Sequence, residues 1–178
     1  MSSALDDAFK GITFFQWMIL GTLTLTSTLY AMSMTIANIA LPQLQGALGA
    51  TQDQIAWTVT FNIIGTAIVT PMTGWLTLRF GQRRLMLCAI FGFAASSILC
   101  GQANALPELV IYRVFQGAFG GPLVPLSQAI ILGVFPRQLH SFATAVWGMG
   151  VVCGPIIGPT VGGYISEAYS WRWVFYII

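Results

Sequence analysis

The 178-residue chain has only 7% charged residues but 56% hydrophobic residues, and its formal net charge is +2. A soluble domain carries about 25% charged residues because its surface faces water, so this composition excludes an ordinary soluble protein. The small net charge, with no basic patch interleaved with aromatic residues, also argues against a nucleic-acid partner. Long intervals without Asp, Glu, Lys or Arg can each hold the helix of about 20 residues that crosses a bilayer.

These intervals predict an all-α fold, a polytopic transmembrane helix bundle. Strands are disfavoured because they would have to close a barrel and alternate apolar with polar residues, which these runs do not do. Five complete spans are predicted near residues 13–41, 55–78, 85–102, 107–132 and 141–165, and a sixth begins near Trp171. Since the sixth hydrophobic run is cut by the chain end, we expect residues 1–178 to form one incomplete N-terminal bundle, from a longer protein or a truncated gene product.

Local signals fix one helix start and the expected orientation. Residues 51–54 (TQDQ) form a capping-box pattern that opens the second span. Basic residues collect in the turns after the second and fourth spans and before the first, whereas acids collect in the opposite turns; the basic residues are Lys10, Arg79, Arg83, Arg84 and Arg137, with Arg172 as an exception on the acidic side. The positive-inside rule therefore predicts a cytoplasmic N-terminus.

Arg113 is the single permanent charge well inside a predicted span. An arginine at bilayer depth costs about 2.5 kcal/mol or more, so it normally faces a partner or a wet cavity. Gln116 and Gly117 follow at i+3 and i+4 and give the helix one polar, small-residue face. Two interpretations remain open: a residue that couples to protons or substrate, or a structural arginine that bonds carbonyls and locks two helices together.

The fifth span carries glycines at every fourth position, Gly150, Gly154, Gly158 and Gly162, and Pro155 and Pro159 each follow one of them. Such a face lets another helix backbone approach closely, while each proline removes a backbone donor. The combination predicts a helix that packs tightly or bends between two states.

A few polar groups elsewhere in the spans are ambiguous. Asn38 and Gln128 are as consistent with hydrogen bonds between helices as with substrate contacts. Met34 suits packing, and an adaptable methionine surface also suits promiscuous binding. We find no nucleophile or metal-binding motif and predict that the protein is not an enzyme.

Five motifs, in the expected order, make the chain resemble the major facilitator superfamily, specifically its drug:proton antiporter branch with about fourteen helices (EmrB/QacA type). They are MTIANIALP (34–42), GWLTLRFGQRR (74–84), RVFQG (113–117), GPIIGPTVGG (154–163) and WRWVF (171–175). Residues 122–128 (PLVPLSQ) further resemble the inner-membrane pump of tripartite multidrug systems.

This resemblance implies roles for particular residues. It assigns proton coupling to Arg113 and Gln116, and substrate contacts to Met34, Asn38 and Gln128. It assigns the antiporter motif to Gly150, Gly154, Pro155, Gly158, Pro159, Gly162 and Gly163, and the cytoplasmic loop motif to Gly74, Gly81, Arg83 and Arg84. Two positions depart from the family pattern, because Ser33 and Leu78 stand where acids are usual.

The resemblance further implies export of lipophilic or amphipathic small molecules across the inner (cytoplasmic) membrane, by alternating access of two helix bundles. The energy source would be the proton gradient, with no cofactor and no metal. The partners implied are membrane lipid, a periplasmic adaptor and an outer-membrane channel. A truncated or degenerate half-unit that does not transport is the alternative, motivated by the abrupt chain end and by Ser33.

Overall fold

The computed structural model describes residues 12–178, and the regular structure of these residues is helical, which confirms the predicted all-α class. Within these described residues, five spans are long and apolar enough to cross a membrane. Lys10, one of the basic residues that predict a cytoplasmic N-terminus, lies outside the described residues. The helices are α1 (Phe14–Leu48), α2 (Gln52–Phe80), α3 (Gln82–Gln102), α4 (Leu106–Gly120), α5 (Leu123–Val134), a 3₁₀ turn (Arg137–Leu139), α6 (His140–Ala168) and α7 (Trp173–Tyr176).

Helix α1 runs beyond the predicted end of the first span, through Pro42 to Leu48. A proline inside a helix removes one backbone hydrogen bond but does not have to end the helix. Leu44, in the added turns, is fully buried, so packing favours continuing the helix. The helix stops at Gly49, whose φ of +60° is readily adopted only by glycine and whose N–H bonds to the Gln45 carbonyl.

The predicted capping box at the start of α2 is confirmed. The Gln54 N–H donates to Thr51 Oγ1 at 3.3 Å, and the Thr51 N–H donates to Gln54 Oε1 at 3.0 Å. These two bonds satisfy backbone donors that the first turn of a helix leaves free.

The fourth span consists of two helices, α4 and α5, separated at Gly121-Pro122. Pro122 and Pro125 have no N–H, so the carbonyls of Ala118 and Gly121 lose their usual helical donors. Gly121 keeps right-handed helical angles, with φ −51° and ψ −43°. The two prolines therefore interrupt the backbone hydrogen bonds of the span, while the backbone at Gly121 stays helical.

Two helix pairs dominate the packing: α1 lies along α6, and α2 lies along α4. Both pairs run parallel, because facing residues rise together along each pair. Buried apolar residues form two clusters. One includes Leu20, Leu126 and Trp147, toward the end with the basic turns; the other includes Leu44 and Leu109, toward the opposite end.

Candidate functional site

Arg113 of α4 is 3% exposed and lies in the interior of the helix bundle. Its Nη1 donates to Gln116 Oε1 at 2.6 Å, and Gln116 Nε2 donates to Ser97 Oγ of α3 at 2.7 Å. The Ser97 hydroxyl in turn donates to the Phe93 carbonyl at 2.9 Å. A relay of three hydrogen bonds therefore connects the buried guanidinium to the backbone of the neighbouring helix.

The remaining surroundings of Arg113 are apolar. Its Cζ lies 5.0 Å from the centroid of the Phe175 ring, a cation–π contact that stabilises a desolvated cation. Arg113 Nε has no hydrogen-bond partner within residues 12–178, and no carboxylate of these residues pairs with the guanidinium. The charge is thus held by one amide oxygen and one ring face, not by the carbonyls that the structural interpretation of the sequence expected.

Residues of α2 bond to carbonyls of the Arg113-bearing span at every fourth position. We call the contact made by these residues, together with Gly65, the α2–α4 interface. Asn62 Nδ2 donates to Arg113 O at 3.0 Å, and Thr66 Oγ1 donates to Gly117 O at 3.1 Å. One turn further, Thr70 Oγ1 lies 3.4 Å from Gly121 O but donates its single proton to the Thr66 carbonyl of its own helix at 2.7 Å. Sequence reasoning missed this ladder, although polar residues at i, i+4 and i+8 in an apolar span were its signal.

Glycines let the two backbones of this interface meet. A Cβ on Gly117 would overlap the Asn62 carbonyl, and a Cβ on Gly65 would overlap the Val114 carbonyl. No larger residue fits at either position unless the helices separate. The ladder of side-chain bonds to carbonyls depends on this close approach.

The glycines of α6 face α1; we call Gly150, Gly154, Gly158 and Gly162 the α6 glycine face. A Cβ on Gly154 would lie 2.6 Å from the Thr28 carbonyl and 3.0 Å from the Met32 nitrogen, so the two backbones are in direct contact there. Pro155 is exposed and Pro159 is half-buried, and Gly163 lies at the margin of the contact. The predicted close packing is observed, whereas the antiporter role of these residues remains a prediction.

The three candidate substrate contacts lie apart from Arg113. Asn38 is exposed, and its Nδ2 donates only to the Met34 carbonyl of its own helix, at 3.2 Å. Gln128 is exposed on α5, and Met34 is half-buried against the first apolar cluster. Within residues 12–178 neither Asn38 nor Gln128 bonds another helix. Ser33 is buried and donates to the Tyr30 carbonyl at 2.7 Å.

The loop motif lies in the tight turn between α2 and α3. Gly81 has a φ of +82°, which strains any residue with a side chain, and its N–H bonds to the Thr77 carbonyl at 2.9 Å. Gly74, Arg83 and Arg84 are exposed. Leu78, where the family pattern has an acid, is 90% exposed.

Arg172, the basic residue that departs from the charge pattern, binds the end of α3. Its Nη1 donates to the Gly101 carbonyl at 3.1 Å, and its Nη2 donates to Asn104 Oδ1 at 3.2 Å. The guanidinium also lies 4.8 Å from the Trp171 ring centroid. A cation is favoured at a helix C-terminus, so local packing explains this exception.

A second buried polar cluster, absent from the sequence prediction, joins three helices. Ser27 Oγ on α1 donates to Ser127 Oγ on α5 at 3.1 Å, and Trp147 Nε1 on α6 donates to Ser27 Oγ at 3.1 Å. Its members are ordinary residue types for apolar spans, so nothing in the sequence marked them.

The described residues form five apolar spans, with parallel helices in glycine-mediated contact and one buried arginine on a polar relay, and they define a polytopic membrane protein. Residues 23–178 match the family model for the Major Facilitator Superfamily, and the chain belongs to this family. The chain is 44% identical over 155 residues to the multidrug export protein EmrB of Haemophilus influenzae, covering 87% of this chain. It is also 42% identical over 143 residues to the fatty acid resistance protein FarB of Neisseria gonorrhoeae, covering 80% of this chain and 28% of that protein.

The fold is found in solved transporters. A bacterial homologue of the human lysosomal transporter Spinster, in an inward-facing and occupied conformation, superposes with a TM-score of 0.78 at 18% identity, covering 94% of this chain and 42% of that chain. The chain spans about 30% of the length of EmrB.

Proposed function

We propose that this chain is part of a proton-coupled exporter that moves lipophilic and amphipathic compounds out of the cytoplasm across the inner membrane. The observation that carries the proposal is the buried Arg113 relay, placed in a chain that is 44% identical to a multidrug export protein. A desolvated cation without a carboxylate partner in the described spans is costly, and such residues mark ion and substrate pathways.

In this proposal Arg113 acts on a proton carrier through its charge. The acids of the described chain, Asp53, Glu108 and Glu167, lie in first or last turns of helices and not at bilayer depth. Ser33 occupies the usual place of the first-helix acid. The proton carrier is therefore expected on a part of the pump outside these spans.

The conformational step is assigned to the pairing of α1 with α6. Alternating access requires helices that rearrange about a midplane site, and the α6 glycine face with its two prolines suits that movement. Met34, Asn38 and Gln128 are proposed as substrate contacts because the two amides are exposed and lack partners on other helices within the described residues. We further propose a cytoplasmic N-terminus, with a periplasmic adaptor and an outer-membrane channel completing the path.

The proposal is tested by dye accumulation in cells with and without the gene, using a fluorescent lipophilic cation and then an uncoupler. Cells with the gene should accumulate less dye, and the uncoupler should remove the difference. A parallel growth assay with a long-chain fatty acid distinguishes an exporter of amphipathic acids from one of cations. No effect of the gene on either compound would refute the export function.

Arg113→Ala should abolish proton-linked export while expression and membrane insertion stay normal, because the charge that acts on the proton carrier is gone. Arg137→Ala, which removes an exposed arginine from a turn, is the matched control and should export normally. Transport by Arg113→Ala at the wild-type rate in proteoliposomes would contradict the role of Arg113.

A further inference from the structure

An apolar groove of about 370 Å³ opens between α2, α3 and α4. Its walls include Val69, Leu76 and Phe80 of α2, Cys88 of α3 and Phe119 of α4, and every lining residue is apolar except Arg84. The groove is concave and bounded by three helices, which distinguishes it from the convex surface that ordinary boundary lipid covers.

The groove has the length of one leaflet. It extends from Val69 to Phe80 along α2, and eleven residues of helix correspond to about 16 Å. Half of a hydrocarbon core of about 30 Å is about 15 Å. One end of the groove therefore reaches the polar interface, at Arg84, while the other ends near the middle of the bilayer.

Positive charge at the interfacial end is not neutralised by any residue of 12–178. Arg79, Arg83 and Arg84 are exposed, and none of them forms a hydrogen bond or ion pair with another described residue. Arg83 and Arg84 also occupy the first turn of α3, where the helix dipole disfavours cations, and that turn contains no acid. Helix stability thus does not explain these arginines. The positive-inside rule accounts for their side of the membrane, and an anion bound beside them would offset their charge.

We propose that this groove is a specific site for an anionic glycerophospholipid, with one acyl chain between α2, α3 and α4 and the phosphate at Arg84. Charge selects this occupant. The arginines repel a lipophilic cation, and they attract a zwitterionic lipid less strongly than an anionic one. The site does not depend on the proposed export function, because its occupant is a structural lipid of the surrounding leaflet.

The test uses the complete native protein, delipidated in detergent and titrated with phosphatidylglycerol or phosphatidylcholine while native mass spectrometry counts bound lipids. Phosphatidylglycerol should bind more tightly. Arg84→Gln should lower its affinity about fivefold, the equivalent of about 1 kcal/mol for one arginine near an anionic headgroup. Arg137→Gln removes an exposed arginine that does not line the groove and should leave the affinity unchanged.

The position of the bound lipid is measured separately with the native cysteines. Cys88 lines the groove and Cys153 is exposed on α6, so N-ethylmaleimide should label both in detergent, and phosphatidylglycerol should protect Cys88 alone. Cys88→Phe, which fills the groove, should reduce the binding of both lipids. Equal affinity for the two lipids, equal losses in Arg84→Gln and Arg137→Gln, or a Cys88 unreactive before lipid is added would each overturn the proposal.

Discussion

Replacing Gly65 by alanine tests whether the α2–α4 interface depends on backbone contact. The new Cβ would overlap the Val114 carbonyl and lie 3.1 Å from the Ala118 nitrogen, and these backbone atoms cannot rotate away. Overpacking of this kind costs about 1–3 kcal/mol. Separation would also weaken the bonds made by Asn62 and Thr66, each worth about 0.6 kcal/mol in a membrane protein. Alanine has a higher helix propensity than glycine, which offsets about 0.5–1 kcal/mol. We therefore expect the free energy of unfolding to fall by about 1–3 kcal/mol.

The assay is thermal unfolding of the purified protein in detergent. At about 2–4 °C per kcal/mol for a chain of this size, the apparent Tm of Gly65→Ala should fall by about 2–12 °C. Gly21→Ala is the matched control, since a Cβ there meets nothing within 4 Å, and it should not lower the Tm. If the two variants unfold at the same temperature, backbone contact does not hold this interface and the reasoning fails.

Two further substitutions probe neighbouring features by the same thermal assay. Thr66→Val removes the side-chain donor to the Gly117 carbonyl and should cost about 1 kcal/mol, whereas Thr66→Ser should be near wild type; equal losses would show that the hydroxyl is irrelevant. Gly154→Ala drives a Cβ against the Thr28 carbonyl and should lower the Tm, while Gly148→Ala, with open space, should not; matching Tm values would contradict the close α1–α6 contact.

The sequence alone was sufficient for the number of spans within residues 12–178 and for the burial of Arg113. Bilayer thickness imposes a length on every apolar run, so the number of spans follows from spacing between charges. Arg113 stood out because a buried charge is rare enough to identify by inspection. The capping box at Thr51 was predictable because its two bonds join residues three apart.

The partners of Arg113 were not predictable in the same way. Ser97 and Phe175 come from other helices, and local periodicity does not encode which faces of two helices meet. The course of α1 through Pro42 depends on burial of Leu44 by tertiary packing, which also lies beyond local pattern. Arg172 departed from the charge pattern because a carbonyl at the end of α3 requires it, again a contact over a long sequence distance.

The two parallel helix pairs differ in how they are held, and this difference bears on which pair can move. The α2–α4 interface combines backbone contact with two hydrogen bonds between helices, from Asn62 and Thr66. The α1–α6 pair has one such bond, from Trp147 to Ser27, and it lies before the α6 glycine face. Along that face the described residues show packing without such bonds: the Thr28 and Thr35 hydroxyls bond within α1, and Thr24 Oγ1 has no partner. Pro155 and Pro159 remove two backbone donors from α6, whereas Pro71 removes one from α2.

Backbone amides of α6 should therefore open more readily than those of α2. Two interhelical bonds at about 0.6 kcal/mol each correspond to roughly an 8-fold difference in the opening equilibrium. Hydrogen–deuterium exchange of the protein in nanodiscs should show residues 150–162 exchanging faster than residues 62–74, at comparable bilayer depth. Thr24→Val removes a buried hydroxyl without a partner, so it should slow exchange in the α6 segment and leave the α2 segment unchanged. Equal protection of the two segments would mean that hydrogen bonds between helices do not determine which helix pair opens more readily. It would also remove the physical basis for assigning the conformational step to α1 and α6.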